Sequence, residues 1–145
     1  SSLTVVLASL MQQAQSTQPL TGEHPKRARR YLSEFTNLIE QDYVHHHQLT
    51  FYANKIGIST AHLNAVCREF VQRSALDLIH ARIMLEAKRN LVYTNLTIKT
   101  VAETLGFTDP AYFTRFFKRQ AGLSPKEFRQ QLMVLTEGEK NKVVV

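Results

Sequence analysis

The chain has 145 residues, 43% of them hydrophobic and 21% charged, a composition that is ordinary for a soluble globular protein. Its net charge of +6 favours a polyanionic partner, and nucleic acid more than a membrane. A single cysteine, Cys67, excludes an internal disulfide framework and fits a reducing cytosol, so we expect a cytoplasmic protein. No apolar run approaches the ~20 residues of a membrane span.

The first 24 residues combine an apolar stripe with a polar linker. The stripe has helical spacing and consists of Leu3, Val6, Leu7, Leu10 and Ala14. Residues 15–24 include Pro19 and Gly22, as is typical of a linker. Since the sequence also lacks an initiator Met and a signal peptide, we expect a fragment, with residues 1–24 the remnant of a missing sensing or dimerisation domain. Deleting residues 1–20 should then leave the affinity of the chain for nucleic acid unchanged.

An amphipathic helix is predicted to begin near Pro25, since proline is favoured in the first turn. Its apolar face consists of Ala28, Tyr31, Leu32, Phe35, Leu38, Ile39 and Tyr43. Four cations crowd into its first turns, which are the unfavourable end of the helix dipole for positive charge: Lys26, Arg27, Arg29 and Arg30. Two interpretations are open, a solvated face and a clamp on phosphates.

A helix-turn-helix pattern then occurs twice. Four residues recur 49 positions later: Ala53, Ile56, Gly57 and Ser59 as Ala102, Leu105, Gly106 and Thr108. Four more recur 50 positions later: Leu63, Val66, Arg68 and Ser74 as Phe113, Phe116, Lys118 and Ser124. The second copy has therefore gained one residue near Pro110. Units of this kind place their second helix in the major groove of DNA.

In the first copy we predict a short helix over about 49–56 and a turn at Gly57. Ser59 is the predicted N-cap of the second helix, which should end near Phe70. In the second copy the first helix should run from about Thr97 to Leu105 and the turn should lie at Gly106.

Thr108 is the predicted N-cap of the second helix of that copy, which should end at about Ala121, before Gly122. Residues 124–127, Ser-Pro-Lys-Glu, form a capping box that predicts a further helix. From about Thr136 the sequence has no periodicity, and we expect residues 136–145 to be a frayed tail.

Between the two copies, Ser74 should cap a long helix that runs to about Tyr93. At 1.5 Å per residue its 19 residues would span ~29 Å, close to the ~34 Å of one DNA turn. We therefore expect one chain to place both second helices in successive major grooves. The predicted subdomains are residues 25–93 and 94–135. No segment alternates with period two, so we predict an all-α fold of about seven helices plus the N-terminal one.

The second helix of the later copy has chemically distinct faces. Its inner face should be Phe113, Phe116 and Phe117. Its outer face should be Ala111, Arg115 and Lys118, flanked by Thr114 and Arg119. Arginine can bind guanine O6 and N7 together, so we predict that Arg115 contacts a base. Lys118 and Arg119 suit phosphates. The alternative is an ordinary amphipathic helix with solvated cations.

The corresponding helix of the first copy has an almost blank outer face. Leu63, Val66 and Cys67 should point inward, and the outer positions are Ala61, Ala65 and Arg68, flanked by Asn64 and His62. Alanine can contact a thymine methyl group, and asparagine can bind adenine N6 and N7. We predict that Ala61, Ala65, Asn64 and His62 contact bases. We predict that Arg68 contacts a phosphate, as do Ser59 and Thr108 in the turns of the two copies. The alternative is that this helix mainly positions the protein.

Other constellations carry less chemistry. Three adjacent histidines, His45, His46 and His47, cannot all face one metal from a helix, and a loop is the ordinary interpretation. Cys67 lies on an apolar face and is expected in the core. We find no phosphate loop, catalytic triad or paired carboxylates, so we expect neither an enzyme nor a cofactor or metal. A helical protein-interaction module with solvated basic faces is the rival function.

Residues 97–129, TIKTVAETLGFTDPAYFTRFFKRQAGLSPKEFR, resemble the signature of the AraC/XylS family of bacterial transcription regulators. With a looser match over the first copy, the resemblance covers about 49–129. It implies two helix-turn-helix subdomains joined by a long helix, sequence-specific binding of double-stranded DNA, and a missing N-terminal domain that senses an effector or dimerises. A transcription activator of this family would also contact RNA polymerase in its full-length form.

The resemblance also bears on single residues. Arg115 matches the base-contacting position of the second recognition helix, whereas Ala61 and Ala65 fall where relatives often have larger contacting side chains. Cys67 replaces the usual Phe, and Gln72 replaces the usual Gly. Residues 82–93, RIMLEAKRNLVY, are similar to regulators of aromatic-acid catabolism.

Overall fold

The computed structural model describes residues 24–143, apart from the side chains at 24, 136 and 139–143. These residues form seven α-helices and no strand, which confirms the all-α prediction. The helices are α1 (His24–Asp42), α2 (Leu49–Ile56), α3 (Thr60–Val71), α4 (Ala75–Tyr93), α5 (Ile98–Thr104), α6 (Pro110–Ala121) and α7 (Pro125–Val143). The predicted helix over residues 3–14 lies outside the described residues.

Three of the predicted N-caps are present, and Thr97, predicted only as the start of a helix, caps α5 in the same way. Each hydroxyl oxygen accepts a hydrogen bond from the backbone N–H three residues later: Ser59 at 3.0 Å, and Ser74, Thr97 and Ser124 at 3.1 Å. These bonds satisfy N–H groups that have no partner inside the helix. The helix starts therefore follow from local sequence.

The predicted cap at Thr108 is wrong. The N-cap of α6 is Asp109, whose carboxylate accepts a hydrogen bond from the Ala111 N–H at 3.0 Å, and Pro110 occupies the first turn. Proline fixes a helical φ and has no N–H to leave unsatisfied, so Asp-Pro begins the helix one residue later than the repeat alignment implied. This shift accounts for the extra residue of the second copy.

The C-terminal ends of the two second helices differ. Gly122 follows α6 with φ of 86°, in the left-handed region that glycine enters without a steric penalty. Gln72 takes the same role after α3 with φ of 56°, and its side-chain amide donates to the Glu69 carbonyl at 3.2 Å. The first copy therefore keeps the turn geometry without the residue that best suits it.

Helix α7 continues to Val143, past the point near Thr136 where we predicted a frayed tail. Apolar periodicity indicates a buried face and not helicity itself, so a helix that is largely exposed can continue without it. Met133, Val134 and Leu135 are all exposed in this helix.

The chain divides into two compact units, and the boundary lies between His80 and Ala81, inside α4. The predicted subdomain bounds, residues 25–93 and 94–135, stay a prediction. In the first unit α1 packs on α2 and α3, and its buried aromatic pair, Phe35 and Tyr52, meets edge to face at 5.7 Å. The Tyr52 hydroxyl donates to the His46 carbonyl at 2.7 Å.

The second unit has an aromatic core. It is formed by rings whose centroids lie 5.1–6.0 Å from their neighbours: Phe107, Phe113, Phe116, Phe117 and Phe128. Three of these, Phe113, Phe116 and Phe117, form the inner face of α6, as predicted. This packing fixes which side of α6 is turned outward.

Within the second unit, Arg129 of α7 binds the end of α4 and the loop that follows it. Its guanidinium donates to the carbonyls of Leu91 at 3.0 Å, Leu96 at 2.6 Å, Thr94 at 3.4 Å and Asn90 at 3.5 Å. Helix C-terminal carbonyls lack partners within the helix and favour a cation nearby. One side chain therefore satisfies a helix end and holds the loop that leads to α5.

Candidate nucleic-acid interface

Helix α6 presents a cationic outer face opposite its phenylalanines. Arg115, Lys118 and Arg119 are exposed, together with Ala111. Within residues 24–143 none of these three cations forms an ion pair, unlike Arg82 and Arg89, which lie 3.3 Å and 3.7 Å from Glu86. The long cationic side chains are therefore available to an anionic partner.

Two neighbours of Arg115 shape this face. Thr114 is half-buried, and its hydroxyl donates to the Pro110 carbonyl at 3.1 Å, so only its oxygen lone pairs remain for a ligand. Tyr112, which we did not predict as a site residue, is 50% exposed. The Arg115 guanidinium carbon lies 6.0 Å from the centre of the Tyr112 ring. The i, i+3 spacing of an exposed aromatic residue and an arginine was the sequence signal for this contact.

Helix α3 presents a smaller outer face than the sequence predicted. Ala61 and Arg68 are exposed and Ala65 is half-buried. Asn64, a predicted base contact, uses its side-chain oxygen to accept a hydrogen bond from the Ala75 N–H at 2.8 Å, at the start of α4. This bond gives Asn64 a structural role, since the first N–H groups of a helix need acceptors. Its side-chain N–H groups remain as donors, and the base contact of Asn64 stays a prediction.

His62, on the other flank of α3, is half-buried and packs edge to face on Tyr31 of α1 at 5.5 Å. The two turn residues that we assigned to phosphates are exposed, but they differ in their bonding. The Ser59 hydroxyl accepts from the His62 N–H at 3.0 Å, whereas Thr108 precedes the cap of α6.

The remaining candidates are structural. His46 stacks on Phe51 with ring centroids 3.6 Å apart, and no cluster of His, Cys, Asp or Glu within the described ranges could hold a metal ion. Cys67 is buried, and that burial raises the pKa of its thiol to about 11, so it is a neutral core residue at ordinary pH. Among the described helices, none has an apolar stretch sufficient to cross a membrane.

A family profile described as "Helix-turn-helix domain" matches residues 52–131. The chain is 33% identical over 78 residues to the "Probable transcription factor PqrA" of Proteus vulgaris, covering 54% of this chain and 64% of that protein. It is 29% identical over 115 residues to the "Arabinose operon regulatory protein" of Escherichia coli K12, covering 79% of this chain and 37% of that protein. The chain thus spans less than two thirds of either relative.

Two solved structures share the fold. The C-terminal domain of the two-component response regulator yesN from Fusobacterium nucleatum has a TM-score of 0.60 and 29% identity, covering 66% of this chain and 93% of that one. The DNA-binding domain of AdpA, solved with a target DNA, has a TM-score of 0.61 and covers 69% of this chain and 90% of that one. Its identity is 22%, so it supports the fold alone.

Proposed function

The chain belongs to the AraC-type family of helix-turn-helix transcription regulators. From this we propose that it binds double-stranded DNA in a sequence-specific way and that α6 recognises the bases. The observation that carries the proposal is the outer face of α6. An exposed arginine stands at its centre, three phenylalanines hold the opposite face in the core, and further cations follow along the helix.

Each residue of α6 has a proposed role. Arg115 binds guanine O6 and N7 in the major groove, the commonest specific contact that arginine makes. Ala111 and Thr114 lie beside it against neighbouring base edges. Lys118 and Arg119 lie in the last turn, where they bind phosphates and set the depth of the helix in the groove.

Helix α3 occupies a second groove in this proposal. Ala61 and Ala65 contact thymine methyl groups, with His62 at their edge, and Arg68 binds a phosphate. Ser59 and Thr108, which precede α3 and α6, border the phosphates of their grooves. Helix α4 has 19 residues and therefore a length of ~29 Å, which suits two boxes about one DNA turn apart. Because the two outer faces differ, the preferred site is asymmetric.

The full-length regulator is proposed to act in the cytoplasm as an activator that contacts RNA polymerase and dimerises through an N-terminal domain. Similarity of residues 82–93 to regulators of aromatic-acid catabolism suggests that subgroup for it. One of these relatives has the name of an arabinose operon regulator, which supports transcription regulation as the general role.

Selection of bound sequences from a random duplex pool tests the proposal most directly. We expect an asymmetric site with two boxes centred about one helical turn apart, bound by one chain. A palindromic optimum bound by two chains would contradict the single-chain arrangement. Affinity should also fall linearly in log[salt]. A protein-interaction module would give neither sequence enrichment nor that slope.

A further inference from the structure

Helix α1 begins with four exposed cations within five positions: Lys26, Arg27, Arg29 and Arg30. The first turn of α1 contains no acidic residue, and within residues 24–143 none of the four takes part in an ion pair. Positive charge at this end of a helix opposes the helix dipole, and neighbouring cations repel each other. The arrangement is unfavourable for folding, which points to a use outside the fold.

The four cations are not equivalent, because Arg29 is used within the first unit. Its guanidinium carbon lies 5.6 Å from the centre of the Phe70 ring, near the end of α3. Such a contact stabilises packing between α1 and α3. Arg29 therefore has a structural partner that the other cations lack.

Arg27 and Arg30 lie on a different edge of α1. Arg27 is one helical turn before Tyr31 and lies on the same side of α1. Arg30 is three residues after Arg27 and lies beside it, further round the helix from Tyr31. Tyr31 meets His62 edge to face on the flank of α3. Arg27 therefore borders the recognition helix, and Arg30 lies next to Arg27 on the solvent side of α1. Glu34, one turn beyond Arg30, marks the end of this basic edge.

The outer face of α3 offers few groups that could bind DNA bases strongly. Ala61 and Ala65 offer only methyl groups, and the side-chain oxygen of Asn64 is bonded to the start of α4. Base contacts by such a face are weak compared with a bidentate arginine. Most of the affinity of this half of the domain must then come from phosphates, which supply a large share of protein–DNA binding.

We propose that Arg27 and Arg30 bind phosphates of the strand that borders the groove occupied by α3. In the first unit, α1 then contacts DNA in addition to α3. This unit binds its part of the site through charge and shape. The inference rests on the proposed function, because it requires α3 to lie in a groove. It assigns Arg29, in the same stretch, to packing.

The test compares three variants that each remove one charge: R27Q, R30Q and R29Q. The slope of log affinity against log[salt] should flatten by about one for R27Q and for R30Q, and by about two for the double variant. Affinity for the selected site and for random DNA should fall by the same factor. R29Q should keep the wild-type slope and melt at a lower temperature. The charge-conserving double variant R27K/R30K should restore the slope.

The outcomes separate the two proposals. A wild-type protein without any salt slope would contradict DNA binding itself. A wild-type slope that the R27Q/R30Q double variant retains would overturn the role of α1 alone. Equal flattening by all three single variants would also overturn it, because only total charge would then matter. Thermal melting of each variant, followed by circular dichroism, shows that the protein measured is folded.

Discussion

The two helix-turn-helix copies share their turns and caps but differ on both sides of their second helices. In the second unit α6 packs three phenylalanines inward and turns Arg115, Lys118 and Arg119 outward. In the first unit α3 buries the smaller side chains Leu63, Val66 and Cys67 and turns mainly alanines outward. A repeated backbone can thus support base recognition in one copy and anchoring in the other, because turn geometry and surface chemistry depend on different residues.

The largest expected effect is on stability and compares the cores of the two units. Phe117→Ala should lower the free energy of unfolding by about 3–5 kcal/mol, since a fully buried ring is lost and a cavity remains. Leu63→Ala, which removes a fully buried side chain of α3, should cost about 2–5 kcal/mol and less than Phe117→Ala. Chemical denaturation measures both. A larger loss for Leu63→Ala would show that the aromatic cluster is not the stronger core.

The next effect tests the outer faces. Arg115→Ala should weaken binding to the selected site by about 1–3 kcal/mol and relax preference at one base pair, because a bidentate base contact is lost. Lys118→Ala is the matched control, since it should weaken binding to all sequences alike. Fluorescence anisotropy with one duplex per base substitution measures both. If Arg115→Ala weakens selected and random DNA equally, Arg115 contacts phosphate only.

A smaller effect tests the ends of the second helices. Gly122→Ala should lower stability by about 1 kcal/mol, because its φ of 86° disfavours any Cβ. No atom lies within 4 Å of a Cβ built there, so the cost comes from backbone strain alone. Gln72→Gly should raise stability by up to about 1 kcal/mol, since φ of 56° is strained for glutamine. Thermal unfolding should show a lower melting temperature for Gly122→Ala and a higher one for Gln72→Gly. A lower melting temperature in both variants would contradict the comparison.

The last effect appears at high pH and should arise in the first unit. Burial raises the pKa of Cys67 from 9.0 to about 11, and burial followed by the charge of Asp42 raises the pKa of Tyr52 from 10.0 to about 12. Both groups hold their protons more tightly when folded, so stability is full below pH 9 and is lost as pH rises through these values.

Cys67→Ala checks this origin. The variant should lose less stability than the wild type between about pH 9 and 11, because the unfolded thiol no longer releases a proton there. Urea midpoints at each pH provide the measurement. If stability depends on pH in the same way in both proteins, groups other than Cys67 cause the loss of stability at high pH.

The sequence by itself determined the helices, most of their caps and the outer face of α6. Ser59, Ser74, Thr97 and Ser124 bond to N–H groups three residues away, and apolar periodicity marks each buried face within a few turns. The turn glycines Gly57 and Gly122 are likewise local, because they supply the left-handed φ that their own positions require. Even the wrong cap, Thr108, was misplaced by only one residue, and Asp-Pro was the local signal that corrected it.

Only the tertiary structure decided which polar side chains remain for a ligand. Asn64 bonds to a backbone group 11 residues away, and Arg129 bonds to a carbonyl 38 residues away. Periodicity assigns a residue to a face of its own helix, but it does not show which neighbouring helix end needs an acceptor or a donor.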